Sequence, residues 1–138
     1  RNIKDAKLLQ FAQTIYPLWK YLCRTINPSV YEQPERHSLI GLKYPQMMIS
    51  GGRFREIYYW DSYWIIKGLL VCDMHVSARQ SLENIMWLST LYNHTINGNR
   101  IYYQNRSQPP LLASMLNLIY EYEGNNDSFI LHHREFLY

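Results

Sequence analysis

A chain of 138 residues has the length of one ordinary domain and on folding can bury about 68% of the surface its unfolded form exposes. Its apolar share of 47% is that of a globular protein, and a net charge of only +3, with no block of like sign, argues against a nucleic-acid partner. No apolar run reaches the ~18 residues that cross a membrane, and no basic segment followed by an apolar core marks a leader peptide.

From Asp5 to about Arg24, Leu8, Phe11, Ala12, Ile15, Leu18, Trp19 and Leu22 recur at helical spacing. The pattern predicts a core-facing helix with Asp5 as N-cap, kinked or broken near Pro17, whose ring removes an amide donor. Residues 25–60 hold Pro28, Pro34 and Pro45 and show no sustained period, the signature of a long functional loop. After Asp61, itself a good helix cap, Tyr63, Ile66, Lys67, Leu70 and Val71 return to helical spacing as far as about Cys72. A further helix is predicted from about His75 to Leu91, with Ala78, Leu82, Ile85 and Met86 on one face. Only a few residues separate the two, so they form an antiparallel αα-hairpin.

Residues 92–108 are a second loop, in which Asn97-Gly98 is the strongest turn signal, with Ile101 to Gln104 as the returning arm of a possible hairpin. Pro109-Pro110 opens the next helix. Leu111, Leu112, Met115, Leu118, Ile119 and Tyr122 form its apolar stripe, and Gly124 ends it. A last helix starts near Asn126 or Asp127 and runs off the end. The chain begins with Arg and stops at Phe136-Leu137-Tyr138 inside an apolar pattern, so it reads as a piece of something longer. Cys23 and Cys72 lack zinc-like spacing; a disulfide is open to them, and buried free thiols are favoured.

Chemistry concentrates between Gly51 and Trp64. Arg53, Glu56 and Asp61 are costly to bury unpaired, while Tyr58, Tyr59, Trp60, Tyr63 and Trp64 carry too much apolar surface for a solvated face. Such a mixture suits a ligand with both polar groups and apolar faces, as a pyranose has. Glu56 and Asp61 could serve as the acid and base of an inverting glycosidase if they stood ~6.5–9.5 Å apart. The plainer alternatives are ion pairs of Arg53 and Arg55 with Glu56 or Asp61, a capping role for Asp61, and core packing for Trp60.

Gly51-Gly52-Arg53-Phe54-Arg55-Glu56, followed by Tyr58, Trp60, Asp61 and Tyr63, resembles the first sequence motif of the trehalases, with Ser50 where that motif usually opens on Pro. Asn97-Gly98-Asn99-Arg100, Tyr102-Tyr103 and Arg106-Ser107-Gln108-Pro109-Pro110 resemble the family's next conserved segment, with Ile96 in place of a common Pro. The resemblance implies an all-α fold, an (α/α)6 barrel. Twelve helices with their loops need about 190 residues, so residues 1–138 are expected to be a fragment of the catalytic domain, its N-terminal to middle part, with four or five helices.

The resemblance also implies an α,α-trehalase that splits trehalose into two glucoses with inversion, without metal or organic cofactor. Its acid and base lie in downstream segments that nothing here matches, so no catalytic residue is assigned in this chain. What carries over is substrate binding by Arg53, Trp60, Asp61, Asn97, Arg106, Ser107 and Gln108. The arginines fork onto adjacent hydroxyls, Trp60 offers a stacking face, Asp61 accepts, and Asn97 and Gln108 both donate and accept. The alternative is a non-catalytic carbohydrate-binding module or an inactive homologue. Residues 58–70 resemble the animal trehalases more than bacterial ones, which implies an extracellular or membrane-anchored parent.

The remaining signals have plain readings. His132-His133, ~100° apart on a helix, are not placed to clasp one metal together. Asn93, Asn105 and Asn126 each open a glycosylation triplet, and a glycan on Asn105 would fall inside the proposed sugar site.

Overall fold

A computed structural model describes residues 3–134; the apolar run Phe136-Leu137-Tyr138 lies outside the described residues. Helix α1 spans Ala6–Ile15, and the Asp5 carboxylate accepts from the amides of Lys7 and Leu8, both at 2.9 Å. At Pro17 the helix tightens into a 3-10 turn, Tyr16–Leu18, and resumes as the single turn α2, Trp19–Leu22, as the missing amide demands. No residue of α1 is buried, and Leu8 and Phe11 are each 61% exposed. The expected core-facing role is therefore corrected: periodicity marks the face that seeks a partner without saying whether the described residues supply one.

The stretch after α2 is better ordered than its sequence suggests. Strand β1, Cys23–Thr25, pairs antiparallel with β2, Gln46–Met48, in the register Cys23 opposite Met48. Between them lie the single turn α3, Ser29–Glu32, and a 3-10 turn, Pro34–Arg36. Side chains fasten the rest. Fully buried Asn84 accepts from the Tyr44 amide at 2.8 Å and donates to the carbonyls of Tyr44 and Gln46. The Tyr31 hydroxyl accepts from the Leu42 amide and donates to the Leu42 carbonyl, each at 3.1 Å. These bonds satisfy a backbone that has few ladder partners.

The core is helical. Helices α4, Tyr59–Val71, and α5, His75–Tyr92, are joined through Cys72, Asp73 and Met74 as the expected hairpin, and α6, Leu112–Tyr122, packs on both. Ile66, Leu69, Ala78, Leu82, Met115 and Leu116 meet there with no exposed surface. Gly124, at φ 73°, follows α6. The Asn126 side chain then caps the short helix α7, Asp127–His132, whose Phe129 ring lies 4.3 Å from the Arg79 guanidinium.

Three local expectations are revised. Helix α4 begins two residues before Asp61, with Tyr58 at the cap position, because its first amides find partners on the second loop. Residues Ile101–Tyr103 form a 3-10 turn rather than a hairpin arm. Pro109-Pro110 precede α6 without entering it; its first amides, Leu111 and Leu112, are capped by the Tyr59 hydroxyl at 2.8 Å. Cys23 and Cys72 are free thiols, each half-buried, and the Trp19 indole donates to the Cys72 sulfur at 3.3 Å.

Candidate functional site

Gly51 and Gly52 both hold positive φ, 105° and 59°, which glycine adopts without steric cost. They make a tight turn closed by the Phe54 amide on the Gly51 carbonyl at 3.1 Å. Arg53 stands at its tip, open to solvent, with its guanidinium 5.0 Å from the Phe54 ring.

The second loop lies directly against the first. The Tyr59 amide donates to the Asn97 carbonyl at 3.1 Å and the Trp60 amide to the Gln108 side-chain oxygen at 2.9 Å. Gln108 thereby caps α4 from 48 residues away, while its amide group keeps two donors for other partners. Tyr58 bridges Gly98, where an added Cβ would stand only 2.5 Å from the Ile57 carbonyl oxygen; no side chain fits that approach. The fully buried Asn99 side chain accepts from the Ile57 amide at 2.8 Å and donates to the Ile40 carbonyl at 3.0 Å, fastening three segments together.

A line of rings spans the two loops. Phe54 meets Tyr58 edge-on at 5.7 Å, Tyr58 meets Tyr103 at 5.6 Å, and the Arg106 guanidinium lies 5.0 Å from the Tyr103 ring. Arg53 and Arg106 thus stand at the two ends of one aromatic row. The Asn97 amide donates to the Arg106 carbonyl at 2.8 Å, closing the second loop at its base. Asp61, half-buried on the first turn of α4, accepts from the Ser50 hydroxyl at 3.0 Å. Arg53, Trp60, Arg106 and Ser107 are exposed, and Asp61, Asn97 and Gln108 half-buried. The Ser107 hydroxyl donates to the neighbouring Gln108 carbonyl, at 3.3 Å. Trp60 keeps 39% of its surface exposed, which sets aside core packing as its role.

Beneath this face lies a pair of charges. Glu56, 7% exposed, accepts from the Tyr58 hydroxyl at 2.5 Å and from the Arg100 guanidinium at 3.2 and 3.4 Å. Arg100 also donates to the Ser38 hydroxyl at 2.9 Å. Burial, reinforced by the bonds to Glu56 and Tyr103, pushes the Tyr58 phenol well above the ordinary tyrosine range, so it stays a neutral donor. The partner of Glu56 is therefore Arg100, not Arg53 or Arg55 as sequence spacing offered. With both its oxygens engaged inside the protein, Glu56 is poorly placed to exchange protons with a ligand. Sequence reading quoted Asn99 and Arg100 within the second motif but gave them no role, and Ser38 carries no signal at all.

Among the described residues, no group of three His, Cys, Asp or Glu side chains is disposed to hold a metal ion, and no helix is long and apolar enough to cross a membrane.

A helical hairpin with a third helix packed on it and two long loops tied together by hydrogen bonds defines an all-α class of protein. The trehalase family model matches residues 1–135, and the chain belongs to that family. It is 48% identical over 120 residues to a trehalase of Bombyx mori, covering 87% of this chain and 21% of the relative. To trehalases of Oryctolagus cuniculus and Homo sapiens it is 45% and 43% identical, covering 91% and 94% of this chain and 22% of each relative. Among solved structures it resembles neutral trehalase Nth1 from Saccharomyces cerevisiae, with a TM-score of 0.57 and 30% identity, covering 65% of this chain and 19% of that one. The chain thus spans about a fifth of the length of the relatives it matches. The trehalase structure is an (α/α)6 barrel, and this helix-rich chain is a part of such a barrel.

Proposed function

We propose that the protein of which this chain is part is an α,α-trehalase, hydrolysing trehalose to two glucoses with inversion, and that this chain supplies the loops gripping one glucose unit. The observation that carries the reading is the aromatic row Phe54–Tyr58–Tyr103 with Arg53 at one end and Arg106 at the other. Guanidinium forks at both ends of a ringed floor, with Asp61, Asn97 and Gln108 alongside, offer donors and acceptors to several hydroxyls at once. The pair Glu56 and Asp61 is not assigned the acid–base work. Glu56 is tied to Arg100 and Tyr58 and Asp61 to the Ser50 hydroxyl; on this reading the proton-transferring carboxyl groups come from elsewhere in the full-length protein. Residues 1–138 are accordingly read as part of one catalytic domain, and its setting as extracellular or membrane-anchored.

Incubating full-length protein with trehalose and following the anomers by NMR tests this. Inversion at one carbon yields equal α- and β-glucose in the first minutes, before mutarotation. Release of α-glucose alone would refute inversion, and binding without glucose release would favour a carbohydrate-binding role.

A further inference from the structure

Arg100 and Glu56 do not face the proposed ligand, yet each sits inside one of the two loops that do. Glu56 lies between Arg53 and Trp60 in the first loop, and Arg100 between Asn97 and Arg106 in the second. We propose that the Glu56–Arg100 pair is a positioning device, setting the spacing and tilt of the two loops so that Arg53 and Arg106 meet one glucose unit together. The inference rests on the trehalose-cleaving function proposed above.

Three observations support it. The two Glu56 oxygens serve different loops: one accepts from Tyr58 in its own, the other from Arg100 in the second, while Arg100 reaches on to Ser38 in a third segment. Next, hydrogen-bond direction is fixed along the chain of groups. A carboxylate only accepts, so the one Tyr58 proton goes to Glu56, and in the 3.0 Å contact between the Tyr58 and Tyr103 hydroxyls Tyr103 must donate. Glu56 thereby orders the Tyr58 and Tyr103 hydroxyls, and those two rings lie against Phe54, beside Arg53, and against Arg106. Last, Arg100 balances the Glu56 charge at 3.2 Å. A buried carboxylate without that partner would draw Arg53 or Arg55 inward, since an unpaired buried charge is costly. With the pair intact the Arg53 and Arg106 guanidinium groups stay free for hydroxyls.

The test measures trehalose hydrolysis by full-length wild-type protein and by Glu56→Gln, Arg100→Lys, their combination, and Tyr103→Phe. Glu56→Gln keeps the volume and an acceptor for Tyr58 while removing the charge. It is expected to lower kcat/KM by about 100-fold, the scale of a 1 Å misplacement. KM should rise, and both limbs of the pH profile should stay where wild type has them. The combined variant should be no worse than its poorer single parent, as coupled residues behave. Tyr103→Phe removes one hydroxyl and leaves the ion pair intact; it should cost roughly 5-fold in kcat/KM with an unchanged melting temperature.

Wild-type kcat/KM in the folded variants, accompanied only by earlier melting, would reduce the pair to a structural role and overturn the proposal. Loss of one pH limb in Glu56→Gln would overturn it differently, by making Glu56 a proton-transfer group. Should Glu56→Gln fail to fold, Arg100→Lys and Tyr103→Phe decide, and wild-type kinetics in both sinks the idea. A wild-type protein that hydrolyses no trehalose would instead defeat the underlying function, and this inference with it.

Discussion

Arg53 and Arg106 are held by similar means. Each rests its guanidinium about 5.0 Å from a ring next to it or nearby in sequence. Because both side chains are exposed, their loss should barely touch the fold. Arg53→Ala or Arg106→Ala is expected to lower kcat/KM of the full-length protein by roughly 10- to 100-fold, the worth of hydrogen bonds from a charged donor, with little change in melting temperature. A melting temperature that falls in step with activity would return the arginines to structural duty. Gly98 makes the opposite case. A Cβ there meets the Ile57 carbonyl oxygen at 2.5 Å, a backbone atom that has to move. Gly98→Ala should therefore destabilise the protein by about 2 kcal/mol in chemical denaturation and weaken sugar binding, since that strand-like crossing holds the two loops together. These residue-level roles were partly legible in the sequence. The motif positions could be quoted one by one, whereas the use of Arg100 for Glu56, at a separation of 44 residues, could not.

At the scale of elements, the sequence located α4, α5 and α6 closely because their apolar faces repeat with the helical period and are buried against one another. The starts of α4 and α6 were harder to place, whereas α5 begins at His75 as expected. Gln108 caps α4 and the Tyr59 hydroxyl caps α6, so each helix end is satisfied from another part of the chain, and no local cap residue announces it. The β1–β2 ribbon escaped for a related reason: three-residue strands show no usable alternation. Another long-range tie fastens the long loop to α5. Lys43 and Tyr44 both donate to Glu83 at 2.7 Å. Burial works against ionising Glu83, but the bonds from Lys43 and Tyr44 together with the Lys43 charge outweigh it and hold the carboxyl below its usual 4.5. The hydrogen bond to Glu83 in turn raises Lys43 above its usual value, against a smaller opposing effect of burial. A depressed carboxyl stabilises the fold above its unfolded value and loses that contribution as pH falls through the folded value. Stability should hence decline below about pH 4.5 more steeply in wild type than in Glu83→Gln, by about 1 kcal/mol or less given the exposure of Lys43. Thermal melts from pH 6 to 3 with parallel curves would refute the coupling.

On the scale of the whole molecule, the apolar side of α1 and α2 stands open. Phe11, Ile15 and Leu18 are 61%, 43% and 50% exposed, and a mostly apolar groove of about 630 Å³ runs between these helices and the end of α4. Exposed apolar surface of this extent promotes self-association. Residues 1–138 produced alone should bind an apolar dye strongly, associate at micromolar concentration and release no glucose from trehalose. A sustained rate of release by this piece would mean that its own carboxyl groups do the chemistry, against the assignment made here. Taken by itself, the sequence determined the helical faces of α4, α5 and α6 and the turn at Gly51-Gly52, because period and glycine freedom act over a few neighbours. Only the tertiary structure decided which charge answers Glu56, which side chains cap α4 and α6, and which apolar face stays uncovered among the described residues. Those outcomes depend on groups tens of residues apart meeting at hydrogen-bonding or van der Waals distance, and contacts of that kind leave no trace in the local pattern of the chain.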